Sequence, residues 1–539
     1  MNLKLRPIRI VTPALLLSLL LASTTVLFSQ QQRERRVETA QDQALTVPAS
    51  ATPAPGPSAL ADLQARIQEV LDRPELQPAL TGIKVASLDT GRVLFEHNSG
   101  KLMRPASNMK LYTVAAALDR LGPDFRFKTS VYAATRPDST GRIRGDLTIY
   151  GRGDPSFAAR FYNGDYLKGI DALATRIATA GIKRVDGDLI GDESYFDGPA
   201  FGDGWAWDDL TWYYGAEISA LTVDDNSVDL FVKPGSAIGG NCSVALGPPT
   251  TLVTLVNHCV TTAAGSRNDV SVYRPLGENT VEVSGSVALQ GPGYSGSVAI
   301  SRPAQLFVSL LKAALAQHGV TVVGKVRVRG YRDQLASPRA TATKLELASL
   351  DSPPFSVIAA QTLKPSQNLY TELILRALGK AAGGTAPTIP GGGTQTAEDL
   401  GHNVVIAFLR EAGVDTGNLV LRDGSGLSRT DLVTPASTVQ LLTYMSRHKH
   451  AAWFREAQPV AGVDGTLRNR FKGTPAENNL RAKTGTLSGV TSLSGYVTSA
   501  AGERLVFSIM LNNYSDGAVT NKNTLDAIGV LLASYRGKQ

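Results

Sequence analysis

Arg104-Pro105-Ala106-Ser107-Asn108-Met109-Lys110-Leu111-Tyr112-Thr113-Val114-Ala115-Ala116-Ala117-Leu118 decides how the chain is read. From Ser107 to Gly122 it predicts a helix, and its run of small and apolar residues predicts that this helix is buried. Residues three apart on a helix face the same way, so Lys110 lies one turn beyond Ser107 and within reach of its hydroxyl. A serine hydroxyl at its ordinary pKa is a poor nucleophile and needs a base beside it. Lys110 can serve only when neutral, a state favoured by burial and by nearby cations. The free N–H groups at a helix start can also stabilise a developing oxyanion.

Two later signals complete a constellation: Ser366-Gln367-Asn368 and Lys483-Thr484-Gly485. Lys483 supplies a candidate cation for the Ser107 region. Each signal alone is weak evidence, although Lys483-Thr484-Gly485 is the only sequence of its kind here. Ser309-Lys312 and Ser446-Lys449 repeat the first spacing and read as ordinary helix surface, and Ser266-Arg267-Asn268 repeats the second. Joint order and context carry the argument, because Ser107 opens its helix whereas Ser309 lies inside one.

The flanking sequence is organised around these signals. Leu63, Ile67, Val70 and Leu71 recur at helical spacing from Leu60 onward, and "GIKVASLDTGRVLFEHN" alternates about Asp89-Thr90-Gly91 as a hairpin. From Phe127 to Arg332 short alternating strands dominate, interrupted by the helical stretches "LKGIDALATRIATAG" and "AQLFVSLLKAALAQHG". From Leu345 the pattern is expected to return to helices, with strands closing the chain in "SLSGYVTSAAGERLVFSIMLNNY". Gly391-Gly392-Gly393 reads as a surface loop, since no Gly-Lys-Ser/Thr follows it. Asp423-Gly424-Ser425-Gly426 and Gly151-Arg152-Gly153-Asp154 read as tight turns, structural before catalytic.

Bulk properties narrow the class. The net charge of +7 is concentrated at the start, where residues 1–36 carry +5 and leave +2 for the rest. No basic tract or patterned aromatic series remains, which argues against a nucleic-acid partner. Lys4, Arg6 and Arg9 precede an apolar run from Ile10 to Phe28, the pattern of an export signal. Its length stands between a cleaved signal peptide and an uncleaved anchor, so any membrane contact is expected through this segment alone. A Pro/Ala-rich stretch to about Ala59 reads as a tether. Cys242 and Cys259 form either a disulfide or two buried thiols, with the disulfide favoured in an oxidising compartment. The six histidines are scattered, so neither a metal site nor a cofactor is expected.

The segments "RPASNMKLYTVAAAL", "DSPPFSVIAAQTLKPSQNLYTELILRALG", "LRDGSGLSRTDLVTPAS", "PVAGVDGTLRNRF" and "RAKTGTLSG" resemble the class C low-molecular-mass penicillin-binding proteins. These are D-alanyl-D-alanine carboxypeptidases and endopeptidases of the penicillin-binding protein 4 type. The separation of 259 positions from Ser107 to Ser366 also resembles that family, which inserts two domains there.

The resemblance implies an α+β fold: a serine transpeptidase/β-lactamase-like domain, an antiparallel sheet with helices on both faces, interrupted by two smaller α/β or β-rich domains. The expected boundaries are 1–29 for the signal or anchor, 30–59 for the linker, 60–126 with 345–539 for the catalytic domain, and 127–344 for a nested pair of inserted domains. It further implies that Ser107 attacks the penultimate D-alanine of a peptidoglycan stem peptide while Lys110 takes its proton. Ser366 relays that proton to the leaving amine, Asn368 holds Lys110 and the substrate amide, and Lys483 supplies positive charge. Thr484 binds the terminal carboxylate, and the N–H groups of Ser107 and Thr486, beside Gly485, form the oxyanion hole. β-Lactams would be trapped on Ser107.

In the inserted "WAWDDLTWYY", Asp209 corresponds to an acid that binds the free amino end of the peptide side chain, with Tyr214 nearby. Arg429 corresponds to a residue holding the substrate's carboxylate. Ser488 stands where the resemblance implies a larger residue. The competing readings are a non-catalytic peptidoglycan-binding scaffold and a β-lactamase or esterase of the same superfamily.

Overall fold

A computed structural model describes residues 56–336, 345–382, 395–515 and 520–538. The expected signal or anchor, nearly all of the tether and Gly391-Gly392-Gly393 lie outside the described residues.

Early and late segments of the described residues meet in one antiparallel sheet. Its strand order is Arg481–Leu487, Val490–Thr498, Arg504–Asn512, Leu80–Ser87, Val93–His97. Leu80 lies opposite Asn512 and Ser87 opposite Leu505, so residues distant in sequence share one ladder. Strand side chains alternate between faces, and here both faces are covered. In Arg504–Asn512, Leu505, Phe507, Ile509 and Leu511 join a core with Leu63 and Ile67 of helix Leu60–Leu71 and with Ile528 and Leu532 of helix Thr520–Ser534. Val506 and Met510 point the other way, into a core with Leu111, Ala115, Phe355, Ile374 and Leu441.

The helix Met109–Arg120 runs through this second core and is buried from Met109 to Leu118. Ala115, Ala116 and Ala117 let it sit close to its neighbours, which include the helices Phe355–Leu363 and Asn368–Ala381. Its entry is a 3-10 turn over Ala106–Asn108. This turn is fastened to the sheet: Asn108 Nδ2 donates to Ser494 Oγ at 2.7 Å, and Ser492 Oγ donates to the Pro105 carbonyl at 2.7 Å.

Between the two halves of that body lies a second five-stranded sheet, ordered Val326–Arg329, Leu189–Asp192, Leu147–Tyr150, Lys128–Ala133, Leu345–Asp351. The helices Lys168–Thr179 and Pro303–Gln317 cover it and share a core with Val131, Ile149, Leu189, Leu230 and Val283. Three three-stranded sheets complete the region, and Cys242 and Cys259 are joined there in a disulfide. One expectation is corrected. Leu345–Asp351 is not the start of the returning helices but a strand, paired antiparallel with Lys128–Ala133; the helices resume at Phe355. No described helix is long and apolar enough to cross a membrane.

Candidate active site

Ser107 sits half-buried in the 3-10 turn, directly after Ala106, whose φ of 47° is left-handed. Such a backbone costs a residue with a Cβ on the order of 1–3 kcal/mol and persists only where its surroundings impose it. Two glycines do so. A Cβ on Gly426, whose φ is 79°, would lie 1.9 Å from the Ala106 carbonyl oxygen, and one on Gly485 would lie 2.1 Å from Ser492 Oγ and 2.7 Å from the Pro105 oxygen. Both approaches allow the Lys483 strand and the 423–428 turn to pack closely against the turn that carries Ser107.

Lys110 is fully buried. Its Nζ lies 3.0 Å from Ser107 Oγ, 2.6 Å from Asn368 Oδ1 and 2.8 Å from the Ser425 carbonyl oxygen. The last two partners can only accept, so a neutral amine spends both of its hydrogens on them. Its lone pair is then left for the Ser107 hydroxyl. Asn368 is oriented for this by donating its Nδ2 to the Tyr214 carbonyl at 2.9 Å.

Burial pushes the Lys110 amine down to about 7, while the carboxylates Asp423, Glu372 and Asp431 act in the opposite direction. Its depression is therefore caused by desolvation rather than by a neighbouring cation. Lys483, also fully buried, is held well below the usual lysine range by burial first and by Lys110 second.

Lys483 Nζ donates to Ser366 Oγ at 2.8 Å and to the Thr484 carbonyl at 2.8 Å. Ser366 is itself left-handed, with φ 64°. Ser107, Lys110, Ser366, Asn368 and Lys483 thus converge from three distant segments. Thr484 Oγ1 donates to Thr466 Oγ1 at 2.7 Å, which makes a pair of hydroxyls at the wall of the cleft. The Lys483 strand is an edge of its sheet; its start is bridged on the outer side by Val460 opposite Arg481, with Ala482 N donating to the Pro459 carbonyl at 3.1 Å, and beyond that no described strand borders it. Its outer backbone groups, Thr486 included, face the cleft side rather than a further strand.

The less direct candidates are placed differently from one another. Asp209 and Arg429, expected to hold opposite charges of a substrate, face each other with Oδ2 and Nη2 3.8 Å apart. Asp209 is pushed up to about 6 by burial, against the pull of Arg429. Tyr214 reaches the site through its backbone.

Two contributors escaped the sequence reading. The turn at Asp423–Gly426 is more than structural, because its Ser425 carbonyl is a partner of Lys110. Thr466, inside the quoted "PVAGVDGTLRNRF", carried no motif signal; only its contact with Thr484 reveals it. The duplicate motifs behave as ordinary structure: Ser309 Oγ donates to Gln305 O, Lys312 to Gly324 O and Ser446 Oγ to Thr443 O. Among the described residues no group of three or more His, Cys, Asp or Glu is arranged to hold a metal ion.

With this geometry in hand, comparison with known proteins is informative. Residues 63–535 match the model of the D-Ala-D-Ala carboxypeptidase 3 (S13) family. A D-alanyl-D-alanine carboxypeptidase of Actinomadura sp. (strain R39) is 38% identical over 491 residues, covering 89% of this chain and 86% of that protein. The D-alanyl-D-alanine carboxypeptidase DacB of Haemophilus influenzae is 28% identical over 448 residues, covering 82% and 87%. The crystal structure of penicillin binding protein 4 (dacB) from Haemophilus influenzae superposes with a TM-score of 0.71 at 25% identity, covering 86% of this chain and 97% of that one.

Proposed function

The chain belongs to the D-Ala-D-Ala carboxypeptidase 3 (S13) family, and from that premise we propose how its own residues carry out serine-type D-Ala-D-Ala cleavage. Lys110 accepts the Ser107 proton as Ser107 Oγ attacks the carbonyl of the penultimate D-alanine. The N–H groups of Ser107 and Thr486 receive the oxyanion. Ser366, hydrogen-bonded to Lys483, passes a proton to the departing D-alanine amine, and water then releases the acyl group from Ser107. Thr484, backed by Thr466, binds the terminal carboxylate with help from the charge of Lys483.

The observation that carries this reading is the 3.0 Å approach of a buried lysine, whose other two partners are obligate acceptors, to a half-exposed serine. A stem peptide would lie along the open edge of the Lys483 strand as an added strand, supplying backbone pairing that a lone edge lacks. β-Lactams would acylate the same serine. Asp209 and Arg429 would part to receive the amino and carboxylate groups of the stem-peptide side chain, an arrangement supported by their facing positions.

We further propose that the enzyme works outside the cytoplasm. The basic and apolar N-terminal sequence and the Cys242–Cys259 disulfide support export, and the same N-terminal segment would supply any membrane tether.

Labelling with a fluorescent penicillin, with mass spectrometry of products from a pentapeptide and from a cross-linked muropeptide, tests the whole reading. Ser107 should carry the label, Ser107→Ala should carry none, and D-alanine should be released. Labelling that survives Ser107→Ala would remove the assignment. Wall binding without D-alanine release would favour a scaffold, and rapid β-lactam turnover without peptide cleavage a β-lactamase. The muropeptide arm measures whether cross-links are cut as well.

A further inference from the structure

Apart from Ser107, Lys110 has two partners, and both are held by the inserted region. Asn368 is anchored by the Tyr214 carbonyl at 2.9 Å. Ser425 belongs to a turn wound around the carboxylate of Asp423, which is 1% exposed. That carboxylate accepts from Ser425 N at 3.1 Å, Ser425 Oγ at 2.9 Å, Gly426 N at 2.6 Å and Ser428 N at 2.9 Å. Two further partners come from outside the turn: the Asp431 carboxyl, held well above the usual carboxylate range by burial and by Asp423 itself, and Trp205 Nε1 of the inserted region, at 2.8 Å. The backbone joins in, with Arg429 N donating to the Gly204 carbonyl at 3.3 Å. The stretch from Gly204 to Tyr214 therefore reaches both acceptors that fix the lysine amine.

We infer that Trp205 is a positioning residue for Lys110, acting through the Asp423 carboxylate and the Ser425 carbonyl. The inference rests on the reading of Lys110 as the base. A buried carboxylate that loses a donor is left under-satisfied, and the turn wound on it must rearrange to recover the bond. The Ser425 carbonyl moves with that turn, and with it the direction of the Lys110 lone pair. Proton transfer from Ser107 depends on that direction, whereas capture of the substrate's carboxylate by the Thr484 wall does not. Trp205 thus affects the acylation step and not the binding that precedes it.

Trp205→Phe in the full chain keeps the ring and deletes the donor. Acylation of Ser107 by a chromogenic penicillin, followed over a concentration series, separates the limiting rate from the half-saturating concentration. The limiting rate should fall roughly 10-fold or more, as misplacement of a reacting group by a fraction of an ångström produces, with half-saturation changed by less than about twofold. Full labelling stoichiometry after long incubation should persist.

Asp423→Asn supplies the second arm. If Trp205 acts through Asp423, adding Trp205→Phe to Asp423→Asn should slow acylation by less than about twofold more. An unchanged limiting rate in Trp205→Phe overturns the inference, as does an equal loss in both backgrounds. Should Asp423→Asn fail to fold, the split between rate and half-saturation in Trp205→Phe decides alone. Lys110→Met separates the premise from the inference: acylation that survives it removes the base reading. An inert Lys110→Met beside an unaffected Trp205→Phe removes only the role of Trp205.

Discussion

Lys110 is the base of the proposed mechanism, and its environment makes a pH-dependent prediction. Burial pushes its pKa down to about 7, so the folded site holds mainly the neutral amine above that pH and mainly the ammonium, which could not take the Ser107 proton, below it. The acylation rate by a penicillin should therefore level off above about pH 7 and fall roughly tenfold per unit below it. A stopped-flow pH series checks this, and a flat profile between pH 5 and 8 would count against a lysine base. Asp209 titrates near 6, so a contact with a substrate amine should weaken below that pH. Asp209→Asn should lower kcat/KM roughly 10- to 100-fold for a peptide bearing a free amino side chain, while leaving acylation by a simple penicillin within about threefold. Equal losses on both would make Asp209 structural. At this scale sequence spacing was informative for Ser107 and Lys110, because one helical turn is enough to bring them together. It was silent on Ser425, which contributes a carbonyl, and every residue has one.

The elements meet at two glycines. Gly426 has a left-handed φ of 79° and faces the Ala106 carbonyl, with a Cβ there meeting that oxygen at 1.9 Å. Gly426→Ala therefore cannot be absorbed by a rotamer change, since the obstacle is backbone. It should destabilise the protein by about 2–4 kcal/mol and slow acylation at least 100-fold, measured by denaturant unfolding beside penicillin labelling. A variant that stays fully active would mean that the turn and the nucleophile are less tightly joined than the structure indicates. Element type followed from pattern where one principle dominated. The buried helix after Ser107 and the hairpin about Asp89-Thr90-Gly91 are local, and the observed strands Leu80–Ser87 and Val93–His97 flank that turn. Leu345–Asp351 misled because its sequence was read with the helices that follow it. Its strand character comes from pairing with Lys128–Ala133, more than 200 residues earlier, and periodicity carries no information about such a partner.

Across the described residues, the segments before Lys128 and after Asp351 in sequence share two hydrophobic cores, and the stretch between them has its own. Composition showed only a change of texture after Phe127, and the ties from Gly204–Tyr214 back to Lys110 depend on tertiary contacts that no spacing encodes. The disulfide lies in the inserted region, in sheets that supply none of the residues around Ser107, and so separates stability from chemistry. It closes a loop across a sequence separation of 17. On the chain-entropy model such a loop contributes roughly 3 kcal/mol by restricting the unfolded chain. Replacing both cysteines by serine should therefore lower the thermal midpoint of the transition that melts the inserted region by roughly 6–12 °C. Penicillin acylation at 25 °C should be unchanged, because the cleft residues are mounted on other strands and turns. Calorimetry of the double variant beside labelling kinetics measures both quantities. A midpoint that stays put would show that the strands around Cys242 and Cys259 hold the loop without the bond, and a parallel loss of acylation would show that the region transmits strain to Lys110 through the Trp205 and Tyr214 contacts.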